Sequence, residues 1–399
     1  MTDYDILHET IRIAFNAQHG LTETLPLKKG DALLAMAEKQ NIYPLVYYGI
    51  GESCFGAKTF KATNRQIGAI YYVRKLAYLN VVSEMENSGI RTILLKGYTC
   101  ANHYAIEHLR VSSDCDLLVL ESDEERAYQV LKRLGYRCVE MRHGHYHHSV
   151  WRHVDIGIVE LHTKLVEDDI DYVWKSVFDE VKLIDDRIRI ETSEGVMYSL
   201  PPVEEWVFLF VHALKHFLQT GLSIQMLLDL YAVYNRLDKD QAGEALKRIE
   251  NCSFGRLWAV FYAYVHKYGA CVEDVANSEA MDIITQDLLN SGWLGLKENT
   301  RRVSLYEASN KEELTLQSWL LKAQTQFRRA FPEKRVLLRD YPAVQQKPWL
   351  LLICYTYRLI KKIKNRLIPT ETEKINQQVR KAAKAERLHL IDRIMAACD

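Results

Sequence analysis

Apolar residues recur at helical spacing through the first 85 positions. Asp31-Ala32-Leu33-Leu34-Ala35-Met36-Ala37 and the longer run over 67–85 both show it, so the chain opens with helices. Asn87-Ser88-Gly89 closes the longer one, with glycine suited to the left-handed position after a helix end. Arg91-Thr92-Ile93-Leu94-Leu95 reads as a short buried strand ending at a Lys96-Gly97 turn. A helix over 98–108 follows, and then a strand beginning at Asp114 with an apolar tail over 117–120. Ser122 and Glu125 have the spacing of a capping box for a helix that runs to Leu134 and stops at Gly135. Residues 145–154 and 158–165 read as the arms of a hairpin turning at Asp155-Ile156-Gly157, and 184–190 as a further strand. After Pro201-Pro202 the spacing is helical again, first over 203–218 and then over 224–237. The pattern predicts an α+β chain with a helical lead-in (1–85), a small α/β core with a mixed sheet (86–195) and a larger helical region (196–399).

Composition narrows the partners. Lys plus Arg and Asp plus Glu balance at 52 each, which weighs against a long nucleic acid and favours a small-molecule partner. The opening MTDYDILHET has neither a basic leader nor an apolar core, so a secretory signal is not expected. Eight scattered cysteines without a Cys-x-x-Cys pair suggest reduced thiols and a cytoplasmic protein. No apolar run approaches the ~20 residues needed to span a bilayer.

The candidate chemistry sits in Arg110-Val111-Ser112-Ser113-Asp114-Cys115-Asp116. On a strand Asp114 and Asp116 share a face and Cys115 takes the other. Two carboxylates converging there suit Mg²⁺ or Mn²⁺ on phosphates. An Asp-x-Asp alone is common in loops and caps; what sharpens this one is its place after an apolar strand and a Lys-Gly turn, ahead of a hairpin carrying an acid. A third carboxylate is needed to complete a metal site or take a proton. Glu160, inside the apolar run Ile158-Val159-Glu160-Leu161-His162, is the stronger candidate because an acid there is costly to bury without a partner. Asp155 sits at a turn, where aspartate is ordinary. His162 shares the face of Glu160 and either orders a carboxylate, contacts phosphate or is simply a satisfied core residue. Lys96 can supply charge and Gly97 a close backbone approach, with N–H groups at a helix start facing the phosphates. Arg110, Ser112 and Ser113 either hold phosphate oxygens or, for Arg110, pair with the carboxylates.

The succession Leu95-Lys96-Gly97, Arg110 to Asp116 and Glu160-Leu161-His162 resembles the bacterial family of uncharacterised nucleotidyltransferases, within the superfamily built on the DNA polymerase beta-type palm. The likeness extends from Ala37-Glu38-Lys39-Gln40-Asn41-Ile42-Tyr43-Pro44 through Val211-His212-Ala213-Leu214-Lys215-His216 to Leu227-Leu228-Asp229-Leu230, covering roughly 25–240. Glu160 stands where the family commonly has aspartate, and Thr163 where an aromatic follows the histidine. The resemblance implies a small mixed-sheet nucleotidyltransferase palm. It also implies Mg²⁺-dependent transfer of a nucleoside monophosphate from an NTP to an acceptor, with release of pyrophosphate. Asp114, Asp116 and Glu160 are then the metal and catalytic residues.

His212 and His216, four apart, share a helical face with Lys215 nearby and could meet nucleotide or acceptor, with Asp229 ordering one of them. Core packing is the plainer reading of both histidines. Two rival functions remain: a catalytically inactive palm that binds nucleotide or a partner, and a zinc metallohydrolase built on His143, His145, His147, His148 and His153. The apolar stretch 349–355 followed by Lys361-Lys362-Ile363-Lys364 reads as a packed helix with a solvated basic end, peripheral membrane contact being the alternative. Residues 374–393 suit a polar terminal helix and an oligomer contact.

Overall fold

Alternation in the strand that carries Asp114 and Asp116 gives the central sheet two unlike faces. The computed structural model describes residues 2–25, 27–140, 148–166, 177–250, 252, 254–272, 278–291, 349–367 and 371–397. Five strands, β1 (Ile93–Leu94), β2 (Asp114–Leu118), β3 (Arg137–Glu140), β4 (His148–His153) and β5 (Gly157–His162), form one sheet in the order β1-β2-β5-β4-β3. The β2–β5 pair is parallel and the other three pairs are antiparallel, so the sheet is mixed. A separate hairpin, β6 (Ile188–Thr192) and β7 (Gly195–Ser199), follows.

The rear face carries Cys115, Leu117, Trp151, Val159 and Leu161. They share a buried cluster with Tyr78, Leu79, Val82 and Met85 of α4 (Ala57–Asn87) and with Ala127, Tyr128 and Leu131 of α6 (Glu124–Arg133). Burying each such large apolar side chain contributes on the order of 1.5–3 kcal/mol. The front face carries the acids, and its Leu118 joins a second cluster. There α1 (Asp3–Gln18), α2 (Leu27–Lys39) and α3 (Tyr43–Ile50) pack with the Pro202–Gln219, Ile224–Tyr234, Leu257–Tyr268 and Ser278–Ser291 helices. The N-terminal helices therefore divide: α1 to α3 share a core with the later helices, while α4 backs the sheet.

Ion pairs tie these layers together. The Lys75 ammonium of α4, 2% exposed, donates to Glu107 (2.9 Å) and Glu194 (3.0 Å). Arg187 holds Glu86 (2.6 and 2.9 Å) and lies 3.8 Å over the Tyr198 ring. In the terminal Glu371–Ala397 helix, Arg387 is buried against Asp287 and the Phe217 carbonyl.

Several local expectations are corrected. The helix expected over 98–108 is a single turn, α5 (Tyr98–Ala101), followed by a 3₁₀ turn at Glu107–Leu109. Contacts elsewhere explain the break: the Ala105 N–H donates to the Gln18 carbonyl, and Tyr71 and Lys75 hold Glu107. Ser122 does not cap α6. It lies in a 3₁₀ turn, Glu121–Asp123, and α6 begins after Asp123 with no side-chain cap bond. The strand expected at 184–190 starts later, because Asp179 caps a short helix, Glu180–Asp185, by accepting from the Val181 and Lys182 N–H groups. The hairpin forms as expected, with arms His148–His153 and Gly157–His162. Residues 141–147, which include His143, His145 and His147, lie outside the described residues. The 349–355 stretch enters the Leu350–Leu367 helix, whose basic side chains also lie outside them. Cys54, Cys100, Cys115, Cys271 and Cys354 are free thiols, and no described helix is long and apolar enough to cross a membrane.

Gly157, which opens β5, has φ +141°, and a Cβ there would lie 2.6 Å from the Tyr78 hydroxyl. Gly157→Ala is expected to cost roughly 1–3 kcal/mol of stability in urea unfolding. Adding Tyr78→Phe should recover part of that loss, and recovery of none would show that the hydroxyl is not the obstruction.

Candidate active site

The strand register assembles the front face. Asp116 lies opposite Glu160 across the β2–β5 pair, and His148 lies opposite His162 across β4–β5. Carboxylate oxygens of Asp114, Asp116 and Glu160 consequently fall within 4.8 Å of one another. Asp155 stays at the hairpin turn, its N–H donating to His153 Nδ1 (3.2 Å). Glu160 is thus the acid that meets the aspartate pair.

Asp116 is 3% exposed and is gripped from two sides, by Lys96 Nζ at 3.3 Å from Oδ2 and His162 Nε2 at 3.0 Å from Oδ1. Burial alone would raise its pKa, but the Lys96 charge and the His162 hydrogen bond outweigh that and hold it below the usual carboxylate range. Lys96 and His162 respond in the opposite sense. Burial opposes their charged forms, yet the surrounding carboxylates raise both pKa values. Asp114 is pushed up, first by burial and then by the Asp116 charge. Three crowded acids with one ammonium beside them make an oxygen-rich site that a hard divalent cation fits, since the ion relieves the repulsion that raises Asp114.

Gly97 contributes by close approach. Its φ is +72°, and a Cβ would come within 3.0 Å of Ser112 Oγ, which itself donates to the Asp114 carbonyl (2.9 Å). The helix after it is one turn long, so few peptide dipoles align and the expected positive helix end is slight. Ser113 Oγ lies 3.5 Å from Asp114 Oδ1.

Arg110 meets neither Asp114 nor Asp116. Its guanidinium is buried against Asp229, with Nη2 2.6 Å from Oδ2 and Nε 3.3 Å from Oδ1, and the Tyr104 hydroxyl donates to the same carboxylate (2.7 Å). Asp229 therefore orders Arg110 and not a histidine. Sequence reasoning named both residues and missed the pairing, as well as Tyr104 and Gln225, whose amide donates to the Val111 carbonyl (3.0 Å). These contacts fasten the segment that enters β2.

Beside the acids lies a cavity of about 260 Å³, bounded by Lys96, Ser112 and Asp114 on one side and by His212, His216 and Gln225 on the other. The two histidine rings are 4.6 Å apart, and His216 Nδ1 is 3.1 Å from Thr220 Oγ1. Burial, then the charges of Lys96 and Lys215, push the His216 pKa down to about 3. Of the described residues in the histidine-rich stretch, His148 faces this site, with Nε2 3.7 Å from Glu160 Oε2. His153 turns to the rear, near the Tyr136 ring.

A family model described as an uncharacterised nucleotidyltransferase matches residues 27–269, a span that holds every residue of this site. No curated protein matches the chain.

Two outcomes follow. Asp229→Asn leaves the Arg110 charge buried without its counter-ion and should cost about 3 kcal/mol or more in urea unfolding; a loss within the error of the fit would show that Arg110 is solvated. His216 titrates lower in the folded chain than its ordinary 6.5, so between those values the unfolded state binds the extra proton and stability falls as pH falls. Over about pH 6 to 4, His216→Gln should reduce that slope by one proton, ~1.4 kcal/mol per pH unit. An unchanged slope would mean that the folded ring is readily protonated.

Proposed function

The chain belongs to the uncharacterised nucleotidyltransferase family, and from that premise we propose that it transfers a nucleoside monophosphate from an NTP to a small acceptor, releasing pyrophosphate with Mg²⁺ or Mn²⁺. The observation that carries this reading is the convergence of Asp114, Asp116 and Glu160 within 4.8 Å beside a cavity that Lys96 also lines. The three carboxylates would hold the ion, whose chemistry is to neutralise charge on the phosphates and to lower the pKa of a bound hydroxyl. His162 fixes the rotamer of Asp116 and keeps that acid ionised. Lys96 supplies positive charge toward a triphosphate, and the Gly97 backbone leaves room for it. Arg110, buried against Asp229, shapes the approach to β2. His212, Lys215 and His216 lie on the acceptor side. Transfer then depends on positioning and charge compensation.

Balanced net charge and the modest cavity support a small hydroxyl- or phosphate-bearing acceptor over a nucleic acid. The reading places the protein in the cytoplasm, where NTP and Mg²⁺ are available.

The test is pyrophosphate release from each of the four NTPs with Mg²⁺ and a panel of small hydroxylated and phosphorylated acceptors. Wild type should turn over, and Asp116→Ala should lower the rate by at least about 10²-fold. Equal turnover in Asp116→Ala would put the chemistry elsewhere, and NTP binding without pyrophosphate release across the panel would mark a binding protein.

A further inference from the structure

The front face holds a second group of ligand atoms, which overlaps the carboxylate trio at Glu160. His148, Glu160 and His162 also bring one ligand atom each to within 4.8 Å of one another. Nε2 of His148 and Nε2 of His162 are each 3.7 Å from Glu160 Oε2, and the imidazole rings are 4.9 Å apart. These separations exceed a hydrogen bond. They suit atoms that share an ion, since two ligands about 2.1 Å from one metal lie roughly 3.4–3.7 Å apart at tetrahedral to trigonal angles. His162 Nε2 donates to Asp116 Oδ1 (3.0 Å); an ion on that nitrogen would displace its proton, and Asp116 Oδ1 would then border the same space as a fourth donor.

The strands build this arrangement. His148 and His162 are register partners on β4 and β5, and Glu160 precedes His162 by two, on the same face. The sheet thus presents an all-oxygen group toward β2 and a nitrogen-rich group toward β4, with Glu160 common to both. Imidazole donors select against Mg²⁺, which takes oxygen and water.

We infer that His148, Glu160 and His162 form a site for a borderline divalent transition ion of the Zn²⁺ or Co²⁺ class, adjoining the carboxylate site and sharing Glu160 with it. The inference stands on the ligand geometry and does not require nucleotidyl transfer. Where both sites fill, Glu160 bridges them, and the ion on the histidine side fixes where its carboxylate points.

Full-length protein without an added histidine tag, stripped with chelator, would be titrated with Co²⁺ and followed by its visible absorption. X-ray absorption on the wild-type complex reads the ligand types directly. The expected result is one tightly bound Co²⁺ with two imidazole nitrogens. His148→Ala and Glu160→Gln should each weaken Co²⁺ at least tenfold, while Asp114→Asn changes it less than threefold. A Co²⁺ shell with no imidazole, or Co²⁺ affinity unchanged in His148→Ala, overturns the proposal without touching the transfer reading. Absence of pyrophosphate release by the wild type, with Co²⁺ binding intact, overturns the transfer reading alone. The X-ray absorption arm decides the matter even if a variant fails to fold.

Discussion

The parallel pairing of β2 with β5 is the constraint on which the site rests. The two strands are separated in sequence by α6, β3 and β4, and only their register sets Asp116 against Glu160. A slip of one residue would send every side chain of β5 to the opposite face, carrying Glu160 and His162 into the rear core and Leu161 toward the acids. The rear face guards against that slip. Cys115 and Leu117 on one strand and Val159 and Leu161 on the other are buried under α4 and α6. Packing energy on one side of the sheet thus holds the ligand geometry on the other.

That geometry carries an electrostatic cost that the fold offsets locally. Asp116 is buried and stays charged because an ammonium and an imidazole contact its two oxygens. Among the described residues Asp114 has no such partner on its carboxylate, and burial together with the Asp116 charge works against its charged form. Behind them, the Arg110–Asp229–Tyr104 cluster anchors the start of β2 to the Ile224–Tyr234 helix, so the helical region takes part in setting the strand that bears the acids. Such second contacts commonly determine whether a ligand group points where its chemistry needs it.

Much of this was legible in the sequence where the argument was local. Alternation put Asp114 with Asp116 and Glu160 with His162, and the cost of an acid in an apolar run separated Glu160 from Asp155. The hairpin turn at Gly157 was equally local. What was hidden depends on contacts far along the chain. Arg110 and Asp229, 119 residues apart, were each assigned a different partner, since no periodicity joins them. The helix after Gly97 ends after one turn because the Gln18 carbonyl takes the Ala105 N–H and Lys75 holds the Glu107 side chain, and both partners lie outside the segment. His148 read as one histidine among five, and only the register with His162 singles it out.

The most direct measurement is anomalous diffraction from crystals grown with Mn²⁺ and a nonhydrolysable NTP. The account requires a manganese peak within ~2.3 Å of oxygens from Asp114, Asp116 and Glu160 together, with the triphosphate extending past Lys96 and Gly97. A nucleotide bound elsewhere, or a triphosphate whose metal touches none of these three acids, would contradict it.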